Sequence, residues 1–372
     1  MRNPDPLEVE RLEKRVLFKF SRLFQESLGE FFTSVDKSMA YLEHLVLPIV
    51  MASKEDKSYN PFAEIMEKYA LHILSKRLER AGYTLLPLGY SADLTMDGES
   101  HILNIDIKTA NLDNPSDFRG TIPVGINQIT HVARLKLGKE FLPKPFFVYP
   151  NVPPVYCEGE RCKPVLTYGL MFLYPPYRDL VEEVRNSYLE LREFFEERVK
   201  STLIPILGET LGVDEGEALS LLNYRPQKVR STRLEILAEN VIRGIILHEN
   251  HRKMLLKSLG MSGHEEVLTR FSNLLKEFAG GLRNKNIRPI AIIAISIPNG
   301  LLWEYYMDDF VSGKNYGRSA RYHYADGIFK VIREREGKTF PRVVFLSLDE
   351  EHLKTLEKYF PRIYRLEYGE RV

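Results

Sequence analysis

The sequence predicts a mixed α/β protein that carries an additional helical lobe. Helical periodicity marks much of the first 80 residues, and short strand-like runs lie between residues 83 and 175. A long, predominantly helical stretch then runs from Arg178 to about Asn286. Two more aliphatic strand runs follow it, so we interpret this stretch as an inserted or second lobe.

Two helical regions lie at the start of the chain. Residues 7–50 have helical periodicity with a charged opposite face. The next helix is predicted to begin at Pro61, because proline is favoured in a first helical turn, and to end at Gly82. Its apolar stripe consists of Phe62, Ile65, Met66, Tyr69 and Ile73.

Strand-like runs are predicted on both sides of the helical lobe. They lie around residues 83–88, 90–96, 101–110, 146–150, 165–175, 288–298 and 342–348, and the last precedes a short final helix. The dipeptide Asp97-Gly98 is a hairpin signal between the second and third runs. Residues 111–130 are polar and interrupted by prolines and glycines, which predicts a loop.

Length and charge limit the class of protein. The chain has 372 residues, 44% of them hydrophobic, which is enough for two or three lobes. We divide it into residues 1–60, 61–177, 178–286 and 287–372, which are an N-terminal helical segment, a core, a helical lobe and a C-terminal α/β segment completing the core. A net charge of +1 means that a nucleic-acid binder would have to cluster its basic residues.

No apolar run approaches the ~20 residues of a membrane span, and the polar N-terminus does not resemble a signal peptide. We therefore expect a soluble, cytoplasmic protein with no membrane partner. Charged residues are abundant and glutamine occurs only three times, a composition typical of thermophiles.

Cys157 and Cys162 are the only cysteines. Their spacing suits a small disulfide-linked hairpin, and two free thiols on a turn are an equal alternative. A zinc site is a third interpretation, but it lacks a second cysteine pair.

Charged residues on a predicted central strand are the main candidate site. In the stretch 103–111, aliphatic Leu103, Ile105 and Ile107 alternate with polar side chains that include Asp106 and Lys108. Asp93 lies on the strand before the hairpin. Antiparallel neighbours are about 5 Å apart, so the two carboxylates could share one divalent cation. The alternative is a surface ion pair of little energetic consequence.

The spacing of these residues resembles the PD-(D/E)XK nuclease signature. Asp93, twelve intervening residues and then Asp106-Ile107-Lys108 fit it, with Ala92 where the family often has proline. The resemblance covers about residues 61–110. It implies a restriction-endonuclease-like core of mixed β-sheet flanked by helices, and a magnesium-dependent DNA nuclease.

The resemblance also implies a role for each residue. Lys108 would assist the attacking water, and a glutamate from the preceding helix would contribute, with Glu64 favoured over Glu67. The Mg²⁺ site would consist of Asp93, Asp106 and Ile107.

Long loops after the lysine resemble those of type II restriction endonucleases. Amide and arginine side chains in the loop after the strand can contact bases or phosphates: Asn111, Arg119, Asn127 and Gln128. Basic and amide residues among tyrosines near the C-terminus suit a DNA groove: Lys314, Asn315, Arg318 and Arg321. The alternatives are an ordinary loop beside the active site for the first group and a packed, tyrosine-rich surface loop for the second. A third basic group, in which Arg230 and Arg233 lie, would contact phosphates or form a solvated face.

Together these features predict a Mg²⁺-dependent endonuclease that cuts double-stranded DNA at a specific short sequence. A palindromic site would favour a two-fold homodimer. The alternatives are a structure-specific repair or recombination nuclease and a non-catalytic DNA-binding protein.

Overall fold

The structure is a computed structural model, and it describes thirteen parts of the chain. These are residues 4–39, 63–86, 92–112, 118, 120–137, 140–141, 146–174, 178–225, 231–260, 265–284, 288–312, 319–324 and 342–357. The chain divides into two compact units. The first comprises residues 1–36, 62–176 and 288–372, and the second comprises residues 37–61 and 177–287.

This division differs from the one expected at the N-terminus. Residues 1–36 belong to the same unit as the strands, because the first helix packs on the sheet. The expected helical lobe, 178–286, lies within the second unit.

Three helices of the first unit are α1 (Pro6–Gln25), α2 (Leu28–Met39) and α3 (Ala63–Arg80). Asp5 caps α1, since its carboxylate accepts the N–H of Leu7 at 3.1 Å and Pro6 occupies the first turn. Helix α3 buries the face formed by Met66, Ala70, Ile73, Leu74 and Leu78.

The described residues contain thirteen strands, all in the first unit. They are β1 (Thr84–Leu85), β2 (Leu94–Asp97), β3 (Ile102–Asn111), β4 (Thr121–Gly125), β5 (Ala133–Leu137), β6 (Glu140–Phe141), β7 (Phe147–Val148), β8 (Val155–Glu158), β9 (Arg161–Tyr174), β10 (Ala291–Ile297), β11 (Phe310–Ser312), β12 (Ser319–His323) and β13 (Val343–Leu348). Two short helices complete the C-terminal part, α9 (Trp303–Tyr306) and α10 (Leu353–Glu357), named after the five helices of the second unit given below.

Two sheets form from these strands. Sheet A has the order β1-β2-β3-β9-β10-β13, with β8 paired to β9. Its pair β3–β9 is parallel and the other pairs are antiparallel. Sheet B has the order β4-β12-β11-β5-β6, with β7 paired to β5. The expected mixed α/β class is confirmed, and β3 lies inside sheet A as predicted.

Helices cover one face of sheet A and sheet B covers the other. On the helical face, Phe172 of β9 contacts Phe24 and Phe31 at ring-centroid distances of 6.2 and 5.5 Å. On the opposite face, a Cβ placed on Gly169 of β9 would lie 2.5 Å from the side chain of Ile122 in β4. The site residues of β3 point towards this second layer.

Of sheet B, the sequence predicted only the strand run 146–150, which contains β7. The expected loop 111–130 contains β4, and the C-terminal loop contains β11 and β12. Strand β4 was not predicted because it is short and contains Pro123. Proline is tolerated at this position because β4 is an edge strand. The tyrosines expected to line a DNA groove are also placed differently, because Tyr322 and Tyr324 are fully buried between the sheets.

A buried network of charges connects α1 to the start of β13. The Arg342 guanidinium contacts Glu13 at 2.9 Å and Glu10 at 3.3 Å, and it donates to the Tyr306 hydroxyl at 3.1 Å. The second oxygen of Glu13 accepts the N–H of Asn299 at 2.6 Å. Burial raises the pKa of Glu13, while Arg342 opposes that rise.

The second unit is helical. Its described helices are α4 (Arg178–Leu211), α5 (Glu215–Asn223), α6 (Arg233–Leu247), α7 (Glu249–Ser258) and α8 (Glu265–Asn284). A capping box between Thr232 and Glu235 fixes the start of α6. Among the described helices of both units, none is long and apolar enough to cross a membrane.

Cys157 and Cys162 form a disulfide in the structure. They lie opposite each other in the β8–β9 hairpin. The structure thus adopts the disulfide among the three alternatives for this pair.

Candidate active site

The two candidate carboxylates lie beside each other at the end of the β2–β3 pairing. Strand β2 pairs with β3 so that Leu94 is opposite Ile105. Asp93 directly precedes β2, and its carboxylate contributes to the raised pKa of Asp106, so the two carboxylates are close neighbours. The Asp106 side chain lies on the same face of sheet A as Gly169, its partner in β9. That face is the one covered by sheet B.

The end of β2 makes one backbone N–H of β3 available to Asp93. Because the β2–β3 ladder stops at Leu94, the N–H of Ile107 donates to Asp93 Oδ2 at 2.6 Å. In an extended strand the N–H and C=O of one residue point to the same side. The carbonyl of Ile107 is therefore directed to the side of Asp93, whereas its aliphatic side chain is buried on the opposite face.

Asp106 is almost completely enclosed. Its side chain is 1% exposed, and it contacts Lys108 Nζ through Oδ2 at 2.7 Å. Oδ1 accepts from the side-chain amide of Gln128 at 2.6 Å. Burial raises the pKa of Asp106 to about 7, and Asp93 adds to the rise while Lys108 opposes it. This burial does not fit the surface ion pair that was the alternative for these residues, and the turn after β4 provides part of the cover.

Solvent reaches this group at Asp93 and Lys108. Asp93 is exposed, and the Lys108 side chain is 26% exposed beside its buried partner. A ligand could therefore approach between Asp93 and Lys108. A buried carboxyl with its pKa near neutrality, paired with a lysine and a second carboxylate, is the kind of group found at functional sites.

The donor set fits a hard divalent cation. Mg²⁺ binds proteins through one or two carboxylates and keeps several waters, and two carboxylates are present here. A cation would also favour the ionised form of Asp106, against the effect of burial, which raises its pKa. In the described part of the chain, no cluster of three or more His, Cys, Asp or Glu side chains forms a larger metal site. Glu64 lies in α3, but its side chain is outside the described residues.

The residues predicted to bind DNA occupy different places. Gln128 lies against Asp106 rather than on an open surface, and Asn127 beside it is exposed and accepts a hydrogen bond from Asn151. Asn111 ends β3 on the face opposite to Asp106, as the two-residue period of a strand requires. Arg321 alternates with buried neighbours in β12 and faces away from sheet A.

The C-terminal segment that contains Arg321 lies beside the segment that contains β4 and Gln128. Strand β12 pairs with β4, and Arg321 is opposite Pro123 in that pairing. Four predicted DNA-binding residues lie outside the described residues: Arg119, Lys314, Asn315 and Arg318.

Sequence reasoning missed the contact between Gln128 and Asp106. Twenty-two residues separate them, and no periodic pattern links a turn to a strand of another sheet. The scarcity of glutamine in this chain was the only signal at that position, and it does not predict a contact.

Comparison with known proteins gives the class of domain. Residues 6–178, which include Asp93, Asp106 and Lys108, match the family model described as "Type II restriction enzyme MwoI, N-terminal domain". This part of the chain is therefore similar to a domain of a restriction endonuclease.

Two solved structures are also similar. One is the restriction endonuclease BglI bound to its DNA recognition sequence, at 11% identity and a TM-score of 0.34, covering 84% of this chain and 93% of that chain. The other is the tetrameric restriction endonuclease SfiI bound to cognate DNA, at 10% identity and a TM-score of 0.38, covering 87% and 81%. At these TM-scores, the description of the fold rests on the strand order given above. No curated protein sequence matches the chain.

Proposed function

We propose that this protein is a Mg²⁺-dependent endonuclease that hydrolyses phosphodiester bonds of double-stranded DNA at a specific short sequence. The observation that carries the proposal is the grouping of Asp93, Asp106 and Lys108 at an interior strand, where Asp93 accepts the N–H of Ile107 at 2.6 Å and Lys108 lies 2.7 Å from Asp106. The family match over residues 6–178 supports the same class of enzyme.

Each residue has a distinct part in the proposed reaction. Asp93 and Asp106 would hold the metal, with the carbonyl of Ile107 as a further oxygen ligand on the same side. Mg²⁺, when bound, stabilises developing negative charge and lowers the pKa of a water. Lys108, whose ammonium reaches solvent at the open side, would orient the attacking water and balance the charge of the scissile phosphate.

Sequence recognition is proposed for the segments that follow β3. Asn127 is exposed and adjoins Gln128, which contacts Asp106. DNA at the metal site would therefore lie near Asn127. Arg321 is on the outward face of sheet B, next to β4. A palindromic target would require a two-fold homodimer of this chain, so that each copy cuts one strand.

Incubation with a long DNA of mixed sequence and Mg²⁺ tests the function. Discrete fragments are expected. A smear would favour a structure-specific repair or recombination nuclease, and intact DNA that nevertheless binds tightly would favour a non-catalytic binding protein. Ca²⁺ should support binding but little cutting, because its looser coordination positions the water poorly, and full activity in excess chelator would exclude the metal mechanism.

Alanine variants of Asp93, Asp106 and Lys108 test the site. Each is expected to abolish cleavage. The same sheet offers a matched control in Asp97 and Lys163, whose carboxylate and ammonium are also 2.7 Å apart. Asp97→Ala and Lys163→Ala remove an equivalent ion pair away from the site and should leave cleavage intact. Near wild-type cutting by Asp106→Ala would show that the site has been assigned wrongly.

A further inference from the structure

Gln128 connects three parts of the first unit. Its Nε2 donates to Asp106 Oδ1 at 2.6 Å, and its Oε1 accepts the N–H of Gly125 at 2.6 Å. Its main-chain oxygen accepts from the Thr167 hydroxyl of β9 at 3.3 Å. The residue is therefore anchored to the turn after β4 and to sheet A at the same time.

The orientation of the Gln128 amide follows from its partners. A backbone N–H can only donate, so the atom facing Gly125 must be the amide oxygen, and the nitrogen faces Asp106. A Cβ at position 125 would lie 3.0 Å from that oxygen, so glycine permits the close approach. The Gln128 amide nitrogen is therefore held in place as the hydrogen-bond donor to Asp106.

The two oxygens of Asp106 have different partners. Oδ1 accepts from Gln128, and Oδ2 faces Lys108 at 2.7 Å. Oδ2 has this ion pair but no hydrogen bond among the described residues, so the hydrogen bond from Gln128 is the directional contact that restrains rotation of the carboxylate. Outer partners that orient a metal-binding side chain in this way commonly matter almost as much as the ligands.

We propose that Gln128 is a positioning residue for the metal site, which holds the Asp106 carboxylate in the orientation that binds the cation. This inference rests on the proposed function and adds to it a residue outside the group Asp93, Asp106 and Lys108. It also replaces the base-reading role that the sequence suggested for Gln128.

Metal affinity of the DNA-free protein provides the first test. Gln128→Leu removes the donor, and the dissociation constant for Mn²⁺ or Mg²⁺, measured by calorimetry, is expected to rise about 10–100-fold. Gln25→Leu is the matched control, because the Gln25 amide also donates across the first unit, to Leu346 O at 3.5 Å, but far from the site along the sheet. The control should bind metal as the wild type does.

A second variant separates positioning from support of the turn. Gln128→Glu keeps an oxygen for the N–H of Gly125 but has no N–H for Asp106. At alkaline pH, where the new carboxylate is ionised, single-turnover cleavage is expected to fall about 10–100-fold. An unchanged cleavage rate in this variant would show that Gln128 has a purely structural role in the turn.

The outcomes test the positioning role of Gln128 separately from the proposed endonuclease function. Wild-type metal affinity in Gln128→Leu, or wild-type cleavage by Gln128→Glu, would overturn the role of Gln128 while the endonuclease assignment stands. A wild-type protein that binds no metal and cuts no DNA would instead refute the proposed function, and the positioning role with it.

Discussion

Replacing Asp106 with asparagine is expected to abolish DNA cleavage and to stabilise the metal-free protein at alkaline pH. Burial raises the pKa of Asp106 from 3.8 to about 7, so the folded protein keeps a proton that the unfolded chain has already lost. Below the unfolded pKa both states are protonated and there is no cost. The free energy of unfolding then falls as the pH rises through this window, and the full cost is present above about pH 7.

The size of the effect follows from the same shift. A rise in pKa of about three pH units, at about 1.36 kcal/mol each, costs at most about 4 kcal/mol above neutrality. Asparagine keeps an oxygen for the amide of Gln128, but it sets an N–H₂ group near the Lys108 ammonium. Lys108 can turn towards water, so the net gain expected for the variant is about 2–4 kcal/mol.

Urea denaturation in the presence of a chelator measures this gain at about pH 4 and about pH 8.5. Groups that do not interact with Asp106 titrate equally in both proteins, so they cancel in the difference. Saturating Mg²⁺ should stabilise the wild type and not the variant, which reverses their order. Asp97→Asn, which removes a partly exposed carboxylate of the same strand pair, should give no gain. An Asp106→Asn protein with the same stability change at both pH values would contradict the reasoning.

Three further predictions concern the rest of the first unit. Arg342→Met leaves buried Glu13 without its cation, while Glu10 keeps Lys14 at 3.3 Å, and is expected to lower the free energy of unfolding by about 3–5 kcal/mol in urea. Gly300→Ala drives a methyl group into the backbone carbonyl of Thr130 and should cost about 1–3 kcal/mol in the same assay. Arg321→Ala should lose about 1–3 kcal/mol of discrimination between a cognate and a scrambled duplex, whereas Arg233→Ala should weaken both equally. Binding titrations of both duplexes at two salt concentrations distinguish base reading from phosphate contact. Equal losses of affinity for the two duplexes in Arg321→Ala would make Arg321 a contact to the DNA backbone.

The sequence predicted the parts of the fold that depend on local pattern. Strand β3 was recognisable because its aliphatic face alternates without interruption, and the hairpin before it because Asp97-Gly98 lies at its turn. That hairpin was enough to bring Asp93 close to Asp106. These features need only neighbouring residues.

What the sequence did not predict depends on distant contacts. Sheet B joins residues 121–148 to residues 310–323, and its strands are too short to show a period. Without that layer, Asp106 looked exposed and Tyr322 looked available to DNA. Burial of a polar strand face is decided by the segment that covers it, and that segment lies elsewhere in the chain.

The pairing of Glu13 with Arg342 has a consequence for how the protein can be made and divided. The two residues are 329 positions apart, so α1 leaves the ribosome long before the cation that neutralises it. Sheet A likewise cannot be completed until β10 and β13 are synthesised, and both strands follow the helical lobe in the sequence. The stretch 6–178, which matches the family model, is therefore not expected to fold as an autonomous module. Expressed alone, it would expose the edge of β9 and carry a carboxylate at position 13 with no counter-charge, and it should be recovered as aggregate unless the C-terminal strands are supplied with it.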